Sequence, residues 1–415
     1  MSQCRVVITG MGAITPLGSS VEKFWQGLIA GRSGVRRITL FDPSNMPCQI
    51  AGEVPDFEAH DFMERKLARR VPRSAQIGLA AAVQAVQNAG FSGSMPEPER
   101  AGVVFGTAIG GLDSFVDGIE VLHTQGLERV SPFVLPGGIP NLAAHLISMR
   151  FQCLGPNATI TTACATGTQT IGEGAELIRR GTADVVIAGG CEALVREFSI
   201  AGFSAMRALP VNFNDNPEAA SRPFDARREG VIFSEGAGAV VLERLEHAQR
   251  RGARIHAEVV GYAASSDGFH IAQPHPEGSG AIRAMQWSLQ NAGILPDEID
   301  YINAHGSSTP MNGKIETKAI RTVFGERADQ IPISSTKSMI GHAMGASGTL
   351  ETIVCALSIN QQYIHPTINY EFPDPACDLD YVPNTGRPYS VRTALTNSFG
   401  LGGQNACLVV KRFEE

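Results

Sequence analysis

The sequence contains no long hydrophobic segment and no clustered cysteines. No apolar run approaches the roughly 18 residues that a membrane-spanning helix requires, and Met1–Gly10 lacks the layout of a secretory signal peptide. The eight cysteines are scattered without a C-x-x-C pair, which argues against a structural zinc site and against a disulfide framework. We therefore expect a cytoplasmic protein with no membrane-spanning segment and no structural metal centre.

Positive charge is also scarce, because 34 Lys and Arg face 41 Asp and Glu for a net charge of −7. Nucleic-acid-binding proteins are usually basic, so this balance does not favour that class. The exception is the segment 62–73 (FMERKLARRVPR), which carries Arg65, Lys66, Arg69, Arg70 and Arg73. Such a cluster is either a solvated helix face or a docking surface for an acidic partner.

Glycine is abundant, at 45 of 415 residues, and falls mainly in loops beside apolar strands. This placement suits close approach of the backbone at a site more than it suits disorder. Gly10 and Gly12 resemble the start of a dinucleotide-binding fingerprint. The third glycine is Gly18 instead of a residue at position 15, and no acidic residue follows at the usual offset. We therefore set a Rossmann interpretation aside.

Cys164 lies at the centre of the most informative segment of the chain. The spacing predicts a buried strand at 158–162, a helix at 164–180 that ends at Gly181, and a second buried strand at 183–188. Cys164 would then stand at a helix N-terminus, where the free N–H groups favour a thiolate, among small neighbours that leave room for a substrate. A buried cysteine acting as a small hydrophobic residue is the alternative.

Strands and helices alternate along most of the remaining chain, which predicts an α/β protein with mostly parallel strands. We read two similar halves that meet near residue 255, namely 1–254 and 255–415. The other predicted strands are 4–10, followed by a loop at 11–18, and 101–106, 236–244, 255–264, 301–304, 331–334, 395–397 and 406–411. The other predicted helices are 21–30, 74–89, 198–209, 245–251, 279–292, 313–324 and 343–360.

Three further loops with reactive or flexible residues follow predicted strands in the second half. They read NAHGSST (303–309), SSTKSMIGHAMGASG (334–348) and TNSFGLGGQN (396–405), and they carry His305, Lys337 and His342. Open α/β sheets bind ligands at the carboxyl ends of their strands. Each histidine alone could be a buried, hydrogen-bonded polar residue. Together with Cys164 they are typical of a nucleophile and its partners assembled from distant positions.

These motifs resemble those of the β-ketoacyl-acyl-carrier-protein synthases, the condensing enzymes of fatty-acid and polyketide synthesis. The resemblance runs from VVITGMGAITPLG (6–18) through TACATGT (162–168) to NSFGLGGQN (397–405), and it looks closest to the type II, chain-elongating enzymes. It implies a thiolase-like α/β fold, with two similar βαβαβαββ halves in α-β-α-β-α layers, and a homodimer. It also implies malonyl and acyl thioesters as substrates, carried on the phosphopantetheine of an acyl carrier protein, and no other cofactor.

The resemblance also implies a role for individual residues. Cys164 would take the acyl chain, and its backbone N–H would form an oxyanion hole with that of Leu401 in the loop Phe399, Gly400 and Leu401. His305 and His342 would stabilise the enolate formed by decarboxylation.

Lys337 would order the site by pairing with Glu316 or Glu351, a Schiff-base role for this lysine being the competing one. The remaining implied sites are Ile109 at the acyl pocket, Ser307 and Thr309 on the phosphopantetheine arm, Lys66, Arg69 and Arg70 at the carrier-protein surface, and a monovalent cation near Asn303, Glu351 and Asn397.

Several related functions stay open or are disfavoured by single residues. The main alternative is a ketosynthase of a type II polyketide or other secondary-metabolite pathway. A degradative thiolase needs a second catalytic cysteine in a CxG motif, and the corresponding loop here reads GLGGQN. A non-catalytic chain-length subunit would lack the nucleophile, which is present as Cys164. Leu401 stands where the elongating enzymes commonly have phenylalanine, and the sequence does not indicate the preferred acyl length.

Overall fold

The strands of the described residues form one ten-stranded mixed β-sheet and two small sheets of two strands each. The computed structural model describes residues 4–415. Over these residues the strands are β1 (Val6–Ile14), β2 (Arg36–Arg37), β3 (Ile50–Ala51), β4 (Ala101–Gly106), β5 (Asn157–Ala158), β6 (Val185–Glu192), β7 (Gly236–Arg244), β8 (Ala257–Ser266), β9 (Tyr301–Asn303), β10 (Ile333–Ser334), β11 (Tyr363–Ile364), β12 (Arg387–Pro388), β13 (Thr393–Gly400) and β14 (Gln404–Lys411).

The helices alternate with these strands along the chain. In the same residues they are α1 (Val21–Ile29), α2 (Arg65–Ala68), α3 (Arg73–Asn88), α4 (Leu112–Gln125), α5 (Val134–Gly138), α6 (Leu142–Phe151), α7 (Thr166–Arg179), α8 (Glu197–Ala205), α9 (Leu245–Arg250), α10 (Ser279–Ala292), α11 (Pro310–Phe324), α12 (Lys337–Ile340) and α13 (Ser347–Gln361). In the part of the chain that the structure describes, no helix is both long and apolar enough to cross a membrane.

The sheet is built from two five-stranded units with the same topology. Its order is β10-β9-β13-β14-β8-β1-β7-β6-β4-β5. Numbered within its own unit, each half places its strands in the order third, second, fourth, fifth, first, and the two first strands β1 and β8 pair antiparallel at the centre. Each unit therefore follows the predicted βαβαβαββ sequence of elements.

The helices form three layers around the two halves of the sheet. Helix α3 packs on β1, β6 and β7, and α10 packs on β8 and β14 with α11 beside it. Helices α7 and α13 contact each other and also contact strands of both halves, so they form the middle layer. The buried residues of α13 include every position from Ser347 to Ile359. This arrangement confirms the predicted α-β-α-β-α layers of the thiolase-like fold.

Some local predictions are wrong. The prediction of mostly parallel strands fails, because neighbouring strands of the large sheet pair four times in parallel and five times antiparallel. Strands β13 and β14, for example, are joined by a short turn, and such a connection permits only antiparallel pairing. Strand β1 continues to Ile14 through the predicted loop, since Met11–Ile14 pairs with β7.

The strand before Cys164 is shorter and more exposed than predicted. Only Asn157–Ala158 forms β5, and both residues are exposed, because β5 is the last strand of the sheet and pairs with β4 alone. The segment 159–162 has no regular structure. The helix predicted from Cys164 begins with a 3₁₀ turn at Ala163–Ala165 and becomes α7 at Thr166.

Candidate active site

Cys164 lies in a strained turn that leads into α7. The preceding residue, Ala163, has a left-handed backbone with φ of +49°, a conformation that alanine adopts at a cost of roughly 1–2 kcal/mol. Strain of this kind persists where the surrounding structure enforces it and is common at active sites. The turn leaves the Cys164 side chain 7% exposed at the wall of a cavity of about 400 Å³.

The thiol of Cys164 is not a resting thiolate, contrary to the prediction. Burial raises the pKa of Cys164 to about 11, with smaller upward contributions from Glu192 and Glu351. A hydrogen bond from the backbone N–H of Leu401 and the charge of Lys337 lower this pKa without offsetting the loss of hydration. The thiol is therefore protonated at neutral pH in the free protein.

His342 presents one defined ring nitrogen to the cavity. Its Nδ1 accepts a hydrogen bond from the backbone N–H of Met344 at 3.0 Å and lies 3.0 Å from Ser347 Oγ. Because Nδ1 is an acceptor, the ring proton must be on Nε2, which is buried and has no hydrogen-bond partner within residues 4–415. Burial and the charge of Lys337 hold the pKa of His342 well below 6.5. His342 is thus a neutral imidazole with a free N–H donor.

His305 lies next to His342 and lines the same cavity. The two rings meet edge to face with centroids 5.5 Å apart, and Phe399 lies 5.7 Å from His305 on another side. Burial, with Lys337 and His342 adding to it, holds the pKa of His305 well below 6.5. Nδ1 of His305 has no partner among the described residues, so its contacts do not fix the tautomer. The structure therefore brings Cys164, His305 and His342 together, as predicted.

The two glutamates near Lys337 have different contacts. The Lys337 ammonium pairs with Glu351, and both side chains are 1% exposed. Glu316 instead accepts hydrogen bonds from the backbone N–H groups of His305 at 2.8 Å and Gly306 at 2.9 Å, so it holds the His305 loop. Burial raises the pKa of Glu351 to about 7, although Lys337 lowers it. Of the two predicted pairings for Lys337, the structure contains the one with Glu351.

The cavity also contains the predicted binding loops. Phe399, Gly400 and Leu401 line it at the turn between β13 and β14. Ser307 and Thr309 also line the cavity, with their hydroxyl oxygens 3.0 Å apart. An added Cβ at Gly400 would lie 2.8 Å from the carbonyl oxygen of Thr162, so the loop packs directly against the Cys164 turn. This close packing brings Leu401 to the turn that carries Cys164.

Other predicted residues lie outside the cavity. Ile109 is 37% exposed and is absent from the cavity wall. Lys66, Arg69 and Arg70 are exposed on or just after the single-turn helix α2, and within residues 4–415 none of them makes an ion pair. Arg73 departs from the predicted cluster, because it turns inward and pairs with Glu235 at 2.7 Å.

The predicted cation site contains unsatisfied oxygen atoms. Asn303 Oδ1 and Glu351 Oε2 are buried without a hydrogen-bond partner in the described part of the chain, as is Thr396 Oγ1. Asn397 Oδ1 is engaged, because it accepts a hydrogen bond from the Cys407 thiol at 3.1 Å. Carbonyl, hydroxyl and carboxylate oxygens suit a hard cation. Asn303 and Glu351 therefore fit such an ion, and Asn397 is the member of the predicted set with a competing contact.

Glu192 was not among the predicted site residues; it lies at the end of β6 and is fully buried. Its carboxylate accepts hydrogen bonds from Thr107, Ala108 and Gly345, and burial raises its pKa to about 7. The signal was present, since an acidic residue closes the apolar run VVIAGGCE, just as polar residues follow the other strands of the site.

Comparison with known proteins agrees with this geometry. Residues 3–248 match the family profile described as "Beta-ketoacyl synthase, N-terminal domain", and residues 256–371 match "Beta-ketoacyl synthase, C-terminal domain". The chain belongs to the β-ketoacyl synthase family. This β-ketoacyl synthase is similar to the "3-oxoacyl-[acyl-carrier-protein] synthase 2" of Coxiella burnetii, at 45% identity over 412 residues and 99% of each chain.

Two further similarities cover the full chain. The "3-oxoacyl-[acyl-carrier-protein] synthase 2" of Staphylococcus aureus (strain MRSA252) is 46% identical over 415 residues and all of both chains. Among solved structures, the ketosynthase of a "type II PKS acyl-carrier protein in complex with its ketosynthase bound to the hexaketide" superposes with a TM-score of 0.90, at 35% identity and complete coverage of both chains. This β-ketoacyl synthase is therefore similar in sequence and in fold to condensing acyltransferases.

Proposed function

We propose that this protein extends an acyl chain by two carbons through decarboxylative condensation with malonyl-acyl carrier protein in fatty-acid biosynthesis. The observation that carries the proposal is one cavity that holds Cys164 together with two neutral imidazoles, His305 and His342. A lone thiol would suit many reactions. A thiol with two uncharged donors suits a reaction in which negative charge develops on a thioester oxygen.

In the first half-reaction, Cys164 attacks the thioester carbonyl of an acyl-carrier protein. The new bond joins Cys164 Sγ to the acyl carbon, the bond to the phosphopantetheine sulfur breaks, and the thiol proton ends on that sulfur. The tetrahedral oxyanion needs donors close to the nucleophile, and the N–H of Leu401, in the loop that packs against the Cys164 turn, would be one of them. The substrate also removes water from the cavity, which strengthens these contacts.

In the second half-reaction, malonyl-carrier protein loses carbon dioxide, and its thioester becomes an enolate. The Nε2–H of His342 has no other partner within residues 4–415 and is free to donate to the enolate oxygen. His305 lines the same cavity, with its ring centroid 5.5 Å from that of His342. The enolate carbon then attacks the acyl carbon on Cys164. The carbon–sulfur bond breaks, Cys164 leaves as a thiolate and takes up a proton from solvent, and the β-ketoacyl thioester departs on the carrier protein.

We propose that an acyl carrier protein docks on Lys66, Arg69 and Arg70. These cations are exposed and unpaired within residues 4–415, in a protein whose net charge is −7. Such a local positive surface favours an acidic partner. The solved ketosynthase named above is in complex with its acyl-carrier protein, which supports the same kind of partner here. Ser307 and Thr309 would hold the phosphopantetheine arm, which is the only carrier group that the proposed reaction needs.

We propose that the protein is a homodimer. Strand β5 lies at the open edge of the sheet with both residues exposed, and such an edge readily pairs with another chain. Exposed large apolar side chains are also concentrated in residues 119–154, just before β5, and they are Ile119, Leu122, Leu127, Phe133, Leu135, Ile139, Met149 and Leu154. Apolar surface of this extent typically marks an interface. We also propose Ile109 as a wall of the acyl pocket, completed in the dimer.

Two structural assignments accompany this proposal. We propose that residues 1–254 and 255–415 are the two ketoacyl-synthase halves, since the same strand order repeats across that boundary. We further propose a monovalent cation held by Asn303 and Glu351, whose buried oxygens lack protein partners in the described residues. When bound, the ion supplies positive charge beside Glu351 Oε2, while Oε1 of the same carboxylate stays paired with Lys337. Asn397 would join only if its amide oxygen released the Cys407 thiol.

The test is condensation by the purified protein with malonyl-carrier protein and acyl-carrier proteins of increasing chain length, with products read by mass spectrometry. Two-carbon extension of ordinary medium and long chains supports the elongating role. Malonyl decarboxylation without extension of any of these chains assigns the site to a polyketide or other secondary pathway. Absence of both reactions in folded protein contradicts the condensing-enzyme proposal.

A further inference from the structure

We propose that Glu192 is a positioning residue that joins the loop at Thr107–Ala108 to the loop of His342 and thereby fixes the proton of His342 on Nε2. This inference rests on the proposed function, because it assigns a task within the same site. Glu192 does not line the cavity. It would act through the two loops it contacts.

The first contact is with the turn that follows β4. Glu192 Oε1 accepts a hydrogen bond from the Thr107 hydroxyl at 2.8 Å, and Oε2 accepts one from the Ala108 N–H at 2.7 Å. Thr107 Oγ1 in turn accepts a hydrogen bond from the Gly110 N–H at 3.0 Å. The Glu192 carboxylate therefore organises the turn that leads to Ile109, the residue proposed at the acyl pocket.

The second contact is with the turn that follows His342. Glu192 Oε2 also accepts a hydrogen bond from the Gly345 N–H at 3.1 Å. Gly345 directly follows Met344, which has a left-handed backbone with φ of +42°. A methionine in this conformation is strained and needs an external contact to hold it. The N–H of this same Met344 is the group that donates to Nδ1 of His342.

These contacts form a continuous path from Glu192 to the cavity. The carboxylate holds Gly345, Gly345 fixes the strained Met344, and Met344 fixes the proton of His342 on Nε2. The packing leaves little freedom, because a Cβ added at Gly345 would lie 2.5 Å from the Ala108 backbone nitrogen. The buried carboxylate of Glu192 thus contacts both the turn that leads to Ile109 and the turn that follows His342. Without it, we expect His342 to place its donor less reliably.

The experiment compares Glu192→Met with Glu192→Gln in malonyl decarboxylation. Methionine has a similar volume but accepts none of the three hydrogen bonds. Glutamine can keep its oxygen toward Ala108 and Gly345 while its amide donates to Thr107 Oγ1, whose hydroxyl can rotate. We expect Glu192→Met to lower kcat about tenfold or more with KM within about threefold, because a small misplacement of a catalytic donor is costly. We expect Glu192→Gln to stay within about threefold of the wild type.

The matched control is Glu243→Met, which removes another fully buried carboxylate, bonded to Thr9, His247 and Arg251 outside the cavity. We expect Glu243→Met to lose thermal stability and to keep kcat per folded molecule. Three results would each overturn the inference. The first is a loss of kcat in Glu243→Met as large as that in Glu192→Met, and the second is an unaltered kcat in Glu192→Met. The third is the same loss of kcat in Glu192→Gln as in Glu192→Met. If Glu192→Met does not fold, Glu192→Asp replaces it, since one methylene less withdraws the carboxylate from Gly345.

The wild-type enzyme in the same assay separates this inference from the proposed function. If the wild type decarboxylates and condenses normally while Glu192→Met matches it, only the positioning role fails. If the folded wild type performs neither reaction, the proposed function itself fails.

Discussion

Met344 donates its backbone N–H to Nδ1 of His342 at 3.0 Å, and this contact leaves the Nε2–H of His342 directed into the cavity. The same cavity holds the Cys164 thiol and His305. The imidazole of His342 is neutral, and its Nε2–H has no acceptor within residues 4–415. Such a donor is well suited to stabilise developing negative charge.

Replacing His342 should separate the two half-reactions. His342→Ala removes the Nε2–H donor, and loss of one such donor typically lowers a rate by about 10²–10³-fold. We therefore expect malonyl decarboxylation to fall by that factor, while transfer of an acyl chain to Cys164 stays within about threefold. Decarboxylation is measured as carbon dioxide release, and acyl transfer by intact-protein mass. Equal loss of both half-reactions would assign a different task to His342.

Replacing Lys337 should destabilise the protein through Glu351. Lys337→Met leaves the buried Glu351 carboxylate without its cation, and breaking a buried ion pair on one side typically costs about 3–5 kcal/mol. The double variant Lys337→Met/Glu351→Leu removes both charges and should recover most of that free energy of unfolding. Urea unfolding measures all three proteins. A double variant no more stable than the single one would show that the pair contributes more than charge balance.

The reactivity of Cys164 toward iodoacetamide should rise steadily with pH. Because burial raises the pKa of the thiol to about 11, the thiolate fraction increases about tenfold per pH unit across pH 6–9. We expect the alkylation rate to follow, after subtraction of the background in Cys164→Ala. A plateau near pH 7 would mean that the helix end and Lys337 outweigh burial.

Buried histidines should make the fold sensitive to mild acid. Burial lowers the pKa of His365 from 6.5 to about 4, although a hydrogen bond to Pro366 raises it slightly. The unfolded chain therefore binds the proton first, so this stabilisation is complete above pH 6.5 and is lost as pH falls toward 4. The loss amounts to about 3 kcal/mol for this one residue.

His365→Gln should consequently show a shallower decline of unfolding free energy between pH 6.5 and 4 than the wild type. The exposed His60 offers a matched control, and His60→Gln should leave the slope unaltered. Identical slopes for His365→Gln and the wild type would contradict the assignment.

The proposed docking surface should act on carrier-protein binding and not on chemistry. Lys66→Glu/Arg69→Glu reverses two exposed charges, so we expect KM for malonyl-carrier protein to rise about tenfold at low salt, with kcat little altered. The difference should shrink at high salt as screening increases. Arg180→Glu/Arg250→Glu makes the same charge change at other exposed positions. An equal rise in KM for that control would indicate an effect of net charge alone.

Sequence motifs located the cavity because reactive residues follow the ends of strands. Cys164, His305, His342 and the loop of Leu401 all meet there, and α10 has the predicted bounds of 279–292. These features depend on local patterns, such as a polar loop after an apolar strand. Such patterns can be recognised in the sequence without knowledge of the tertiary contacts.

Features that depend on distant contacts were predicted less well. Arg73 is not part of the exposed basic cluster, because its side chain forms an ion pair with Glu235, which is far away in sequence. The raised pKa of Cys164 depends on how completely the surrounding residues bury the thiol, which helix position alone does not indicate. Glu192 was missed because its partners Thr107 and Gly345 come from both halves of the chain.

The most direct test of the whole mechanism is a single-turnover experiment on Cys164. The protein is first mixed with an acyl-carrier protein, and the intact mass should increase by one acyl group, with no increase in Cys164→Ala. Addition of malonyl-carrier protein should then return the protein to its original mass and yield a carrier-bound β-ketoacyl product two carbons longer. A folded wild-type protein that acquires no acyl group, or whose acyl group is not discharged by malonyl-carrier protein, would contradict the assignment of Cys164, His305 and His342 as a condensing site.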